Sequence, residues 1–387
     1  MRDGESSTDS GRSAGRGNGN GNGRAGQSTG STALVPLRAD DPRELAGYVL
    51  EARIGEGGMG TVYLTRTRGN QPVALKLIRR EYADSAQFRQ RFAREVEVSR
   101  QVHGYHIVPV VDHDSGNSPG SGGGTPPWLA TRFVPGIALD DALDAHGPLP
   151  VPAVLQLLCC TARALDAIHT AGVIHRDVKP GNLLLASDGP WMLDFGIARA
   201  AGAVTLTTVG RLVGTPKFMS PEHALGRRLT PAADVFALGL IGVLAATGHH
   251  PYGRGNGLAV AARIAGTDRE PPDLSGCPEP LRTVLGRCLA ALPDDRPSAA
   301  EVAEMCRAAV GRDVRDFSGW LPEPVAAAVR AREAAVRPDS RTALSEAPTV
   351  TAPAPHAPPP PVLAPTVPMT VQDPRADEWS RRVRRTT

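Results

Sequence analysis

Four polar groups fall close together in this 387-residue chain. Asp177, Lys179 and Asn182 stand in His175-Arg176-Asp177-Val178-Lys179-Pro180-Gly181-Asn182, and Asp194 follows twelve residues on, opening Asp194-Phe195-Gly196. Phosphoryl transfer needs this combination. One carboxylate must orient an incoming hydroxyl and accept its proton, and a cation must steady the migrating group. A carboxylate and a carboxamide must hold magnesium through oxygen ligands. Any one of these triplets arises by chance; the whole ordered set does not.

Upstream, Ile54-Gly55-Glu56-Gly57-Gly58-Met59-Gly60-Thr61-Val62-Tyr63 holds glycines at 55, 57 and 60, a G-x-G-x-x-G pattern. A dinucleotide fold would follow the last glycine with a helix, and a Walker-type loop would need G-K-[ST]. Here the chain continues as a strand. Two readings remain from the residues alone: a glycine hairpin lying over phosphates, or a plain glycine turn. Sixteen residues after Gly60 stands Lys76, in Val73-Ala74-Leu75-Lys76. The chain has three lysines, Lys76, Lys179 and Lys217, among 43 basic residues, so a lysine between strand residues is not decoration. If half-buried it needs a carboxylate. Glu95 is the best candidate, with Glu81 and Glu97 as alternatives.

These groups need a scaffold. Short apolar runs broken by glycine and by Asn70-Gln71-Pro72 predict strands from Ile54 to Leu75. Phe88, Phe92 and Val96 recur at helical spacing and predict a helix over 88–102. Residues 128–134 return to strand. Helical pattern then dominates over 151–171, 232–247, 258–265, 279–291 and 299–310. A small β-rich part with one helix, followed by a larger helical part, is an α+β arrangement in two lobes.

Composition narrows the function classes. Lys+Arg 43 against Asp+Glu 40 is too balanced for a dedicated nucleic-acid binder. Five cysteines without a C-x-x-C pair argue against a disulfide framework or a zinc site and point to a reducing cytoplasm. The N-terminus has no apolar signal region, and the longest apolar run, Val235 to Ala246, is short for a bilayer, so no membrane span is expected. Glycine and proline together make about a fifth of the chain. Residues 1–40 read as a disordered Gly/Ser/Asn-rich leader, with order expected near Tyr48. The segment 114–127 reads as a surface loop, 311–346 as a short helical extension. Residues 347–387, with ten prolines and a tip of Arg381, Arg382, Arg384 and Arg385, read as a disordered tail.

From Tyr48 to Val310 the ordered motifs resemble a bacterial member of the eukaryotic-type Ser/Thr protein kinase family. The resemblance implies a bilobal protein-kinase-like fold over 48–310, with an N-lobe to about 134 and a C-lobe from 135. It implies ATP with Mg²⁺, or Mn²⁺ in its place. Ile54 and Val62 would flank the adenine, and Gly55, Glu56, Gly57, Gly58, Met59, Gly60 and Thr61 would cover the phosphates. Lys76 would bind the α/β-phosphates and pair with Glu95. Thr131 would be the gatekeeper, Arg132 to Val134 with Phe133 the hinge, and Leu184 the floor of the pocket. Asp177 would be the catalytic base, Lys179 the γ-phosphate contact, and Asn182 and Asp194 the metal ligands.

The family pattern also implies that Gly214 to Glu222 receives a peptide, that Glu222 pairs with Arg296, and that Asp234 anchors the catalytic loop. Arg176 would pair with a phosphorylated Thr207 or Thr208, made by autophosphorylation, for which two copies would meet as a homodimer. Partners are then protein substrates with Ser or Thr. Ser220, Phe218 and His103-Gly104-Tyr105-His106 depart from the common pattern, but none touches a catalytic atom. Two competing readings stay open at this level: a pseudokinase without transfer activity, which intact Lys76, Glu95, Asp177, Asn182 and Asp194 argue against, and an added docking role for the Pro-rich tail.

Overall fold

The computed structural model describes residues 34–116, 126–193, 216–311 and 313–336. Alternating strand residues in its first part build an antiparallel sheet: β1 (Glu44–Leu45), β2 (Tyr48–Gly57), β3 (Gly60–Arg66), β4 (Pro72–Ile78), β5 (Val110–Asp114) and β6 (Trp128–Arg132), in the order β1-β2-β3-β4-β6-β5. Register decides which side chains share a face. Val62 pairs with Lys76 and Lys76 with Leu129; Leu64 pairs with Ala74 and Ala74 with Thr131. On the side carrying Ile78 and Leu129 lies α2 (Ala86–Gln101), after a four-residue helix α1 (Arg80–Ala83). Phe88, Phe92 and Val96 of α2 pack on Ile78 and Leu129. Ser85 caps α2, its hydroxyl accepting from Phe88 N at 3.2 Å.

The opposite face of the sheet carries Tyr63, Val73, Leu75, Trp128 and Ala130. It needs a cover, and the chain before Tyr48 provides one. Leu37 and Leu45 pack on that face, and Val35 exchanges both backbone hydrogen bonds with Arg53. Buried Asp41 accepts from Arg53 Nε and Nη2 at 2.7 and 2.8 Å and from Tyr63 Oη at 2.7 Å. The expectation of order from Tyr48 and of a leader through 40 is therefore corrected. Residues 34–45 belong to the folded lobe, because its outer face would otherwise be bare apolar surface.

The second lobe is helical, with a small sheet at its upper edge: β7 (Ile137–Ala138), β8 (Leu183–Ala186) and β9 (Gly189–Met192). Its helices are α3 (Leu139–His146), α4 (Val151–Thr170), α5 (Pro221–Ala224), α6 (Ala232–Thr247), α7 (Gly257–Ala265), α8 (Leu281–Cys288), α9 (Ala299–Val310) and α10 (Glu323–Val336). Helix α4 is buried on nearly every side, and with α6 and α9 it forms one core. Its 20 residues also meet the length and composition of a bilayer span, although Gln156, Arg163 and Asp166 interrupt any unbroken apolar run, against the expectation of no span. Most of that helix is packed inside the fold, where a core helix of a folded lobe needs the same composition.

The segment after α9 is also part of this core. Gln156 of α4, fully buried, donates through Nε2 to Val314 O and Asp316 O at 3.0 and 2.8 Å. Trp320 Nε1 donates to Ala186 O at 3.1 Å, and Leu321, Val325 and Val329 pack on the same cluster. The extension expected after 310 is thus not an appendage as far as Val336.

Candidate active site

The loop between α4 and β8 carries Asp177, Lys179 and Asn182, the expected catalytic residues, and a buried acid shapes it. Asp234, in the first turn of α6, is 2% exposed. Its Oδ2 accepts from His175 N and its Oδ1 from Arg176 N, both at 2.8 Å. His169, near the end of α4, lies 2.8 Å from the same carboxylate through Nε2. The two backbone bonds hold Arg176 at φ 63°, a conformation a side-chain-bearing residue adopts only when its surroundings impose it. The imidazole of His175 is also spoken for. Its Nδ1 accepts from Asp177 N at 3.3 Å, so its Nε2 carries the proton donated to Leu193 O at 3.3 Å.

On that frame the three expected catalytic residues meet. Lys179 Nζ lies 2.8 Å from Asp177 Oδ2, with both side chains 19% exposed. Asn182, 6% exposed, donates through Nδ2 to Asp177 O at 2.8 Å and to Asp177 Oδ2 at 3.0 Å. A carboxylate held from two sides is a fixed acceptor that water can still reach. The carboxamide spends its nitrogen on both bonds, which leaves its carbonyl oxygen as a hard ligand, the donor type that magnesium takes. Gly181, beside it, is tightly packed: a Cβ there would sit 3.0 Å from Asp140 Oδ2 of α3, which would have to move aside.

The glycine hairpin is the β2–β3 turn. Gly57 pairs with Gly60, Glu56 with Thr61 and Gly55 with Val62, leaving Gly58 and Met59 at the tip. Gly60 is glycine for a steric reason, since a Cβ would lie 2.0 Å from Leu77 O. Glu56 is held by three arginines: Arg53 Nη1 at 3.0 Å, Arg79 Nη2 at 3.1 Å and Arg38 Nη1 at 3.3 Å. Ile54 and Val62 are half-buried on neighbouring strands. Lys76 is half-buried, on the sheet face that receives α2, and half-buried Glu95 sits on α2 between Phe92 and Val96. Glu81 is exposed, and Glu97 is exposed near Arg100. Thr131 is the next-to-last residue of β6, Phe133 N donates to Pro72 O at 3.2 Å just beyond the strand, and Leu184 is buried on β8.

Asp194, Thr205, Thr207, Thr208 and Thr215 lie outside the described residues, as does residues 117–125 of the expected surface loop. Beyond them, Arg296 meets Glu222 as expected, Nη1 and Nη2 donating to its two carboxylate oxygens at 2.8 and 2.9 Å. The Arg296 side chain is fully buried and lies over the Phe236 ring at 4.7 Å. Burial raises the Glu222 carboxyl, but the Arg296 bonds outweigh it and the net shift is downward. Ser220 caps α5 at 3.4 Å, and half-buried His250 holds Lys217 O through Nε2 at 2.7 Å. Sequence reasoning missed His169, Asp41 and the arginines around Glu56. A histidine in the last turn of the long core helix α4 was the one local sign of His169.

A model of the protein kinase domain matches residues 48–306. The chain belongs to the protein kinase family. It is similar to the probable serine/threonine-protein kinase PkwA of Thermomonospora curvata, 41% identical over 69% of this chain and 35% of the relative. It is 40% identical to the serine/threonine-protein kinase AfsK of Streptomyces coelicolor, over 76% of this chain and 36% of the relative. With the serine/threonine-protein kinase PknA of Corynebacterium glutamicum it shares 34% identity over 79% of this chain and 64% of the relative. The chain thus spans about a third of the length of the first two. The bilobal α+β fold is the one the family implies.

Proposed function

We propose that this chain is an ATP-dependent protein serine/threonine kinase. The observation that carries the reading is the Asp177–Lys179–Asn182 cluster, held by Asp234 from beneath. Asp177 accepts the proton of a substrate Ser or Thr hydroxyl as its oxygen bonds to the γ-phosphorus. The bond from that phosphorus to the β–γ bridging oxygen breaks, and ADP leaves. Lys179 offsets charge on the migrating group, while Asn182 keeps the carboxylate in place. When bound, Mg²⁺ neutralises the phosphates; Asn182 Oδ1 and Asp194 are its proposed ligands. Lys76, with Glu95 as its carboxylate, takes the α/β-phosphates under the Gly55–Gly60 hairpin, and Ile54, Val62, Thr131, Phe133 and Leu184 enclose the adenine.

Several finer readings belong to the same proposal. The kinase motifs are assigned to 48–310, inside a fold that runs from residue 34 to Val336. Thr207 or Thr208 is autophosphorylated between two copies and then meets exposed Arg176. The Pro-rich tail serves as a docking segment for a protein partner. A cytoplasmic location accords with five buried free thiols. The test is transfer of γ-labelled phosphate to a generic protein substrate by wild type and Asp177→Asn. The variant should be slower by about 10²–10⁴-fold while binding ATP as before. Equal labelling by the two proteins, or none by either, would instead support a nucleotide-binding scaffold.

A further inference from the structure

Helix α10 reaches from one lobe to the other. Val325 and Val329 are each 1% exposed within the core of the helical lobe. Val336, at the end of the helix, leaves that core. It packs with Leu64 and Phe133 of the first lobe and the hinge, beside Ile54 and Ala74. Positions 325, 329, 332 and 336 fall on one stripe of a helix, so a single face makes all these contacts. Arg332, on the same stripe, faces Asp141 of α3; burial lowers its guanidinium and the Asp141 carboxylate opposes that shift. The 14 residues of α10 span about 21 Å, enough to bridge the hinge side.

The end of the helix is fixed a second way. Arg66 Nη2 donates to Val336 O at 2.8 Å, and Arg66 Nε is itself held by Glu51 Oε1 at 3.0 Å. A cation on the last carbonyls of a helix is the favourable sign for its dipole. The cluster that holds Val336 includes residues that would shape the nucleotide pocket. Ile54 and Phe133 are the proposed adenine contacts, and Ala74 is the cross-strand neighbour of Thr131 and stands two residues from Lys76.

We infer that Val336 is a positioning residue for nucleotide binding: the end of α10 braces Ile54, Ala74 and the Phe133 hinge, and so ties the C-terminal segment to ATP affinity. The inference rests on the ATP reading above. Val336 acts through those three residues and not on the reacting atoms, which sit around Asp177. Its loss should therefore weaken nucleotide binding and spare the chemical step.

The test uses the full chain, a fluorescent ATP analogue with Mg²⁺, steady-state kinetics and thermal unfolding. Val336→Asp should raise both the analogue's Kd and the KM for ATP by about tenfold, with kcat within about twofold of wild type. Val336→Ile should restore wild-type values, and Arg66→Ala should shift Kd in the same direction by a smaller factor. The inference is overturned if folded Val336→Asp and Arg66→Ala bind the analogue as wild type does, or if kcat falls as much as KM rises. Should Val336→Asp fail to fold, Arg66→Ala decides by the same two criteria. Wild-type protein that binds no analogue would remove the ATP reading itself, whereas wild-type binding with unchanged variants removes only the role of Val336.

Discussion

At the scale of single residues, the Asp41 carboxylate shows how a short polar cluster ties the N-terminal arm to the sheet. Hydrogen bonds from Arg53, working against burial, bring its carboxyl down from 3.8 to about 2. The folded state therefore binds the proton more weakly than the unfolded chain does. The stabilisation is complete above pH 3.8 and is lost as pH falls through about 2. Urea unfolding of wild type should show a loss on the order of 2 kcal/mol across that window, and Asp41→Asn should show none of it. If the two proteins kept parallel pH profiles, Asp41 would not be the group responsible. The catalytic loop is legible at this scale because its groups are contiguous in sequence: Asp177, Lys179 and Asn182 meet through turns of a few residues. Asp41 was not legible, since nothing near it in sequence announces Arg53 or Tyr63 as partners.

At the scale of elements, the buried ion pair joins the Ser220-Pro221-Glu222 segment to the start of α6 and the loop before α9. Arg296 also donates to Ala232 O and to Ala290 O and Ala291 O, so its removal would leave several acceptors and the Glu222 carboxylate unmatched. Arg296→Met should cost about 3–5 kcal/mol, because a single charge is left buried. Chemical denaturation measures it, and a loss under ~1 kcal/mol would show that water replaces the guanidinium. The pair was legible because both partners sit in recognisable motifs, Ser220-Pro221-Glu222 and Asp295-Arg296-Pro297. Helices α2, α4 and α6 to α10 were legible from periodicity and composition, within a few residues at each end, whereas α1, α3 and α5 were not. Which face of α10 would meet which lobe was not, since Arg66 and Val336 are 270 positions apart and only folding brings them together.

At the scale of the whole molecule, the two lobes are joined by more than the hinge. The chain crosses between them once near Phe133, and α10 returns to the first lobe at Val336. The family match ends at residue 306, short of this return. It also begins at Tyr48, after the arm that covers the outer face of the sheet. Both features lie outside the motifs, which is why a reading built on motifs sets its boundaries too tightly.

A practical rule for handling the protein follows from the arm. Anyone shortening the chain to the kinase match would cut away Leu37, Leu45 and the partner of Arg53, and would wet a strip of Tyr63, Val73, Leu75 and Trp128. A version starting at Tyr48 should self-associate in light scattering where one starting at Leu34 stays dispersed, and soluble yield from expression should follow the same order. The useful place to cut is set by what shields the sheet, not by where the kinase-domain match begins.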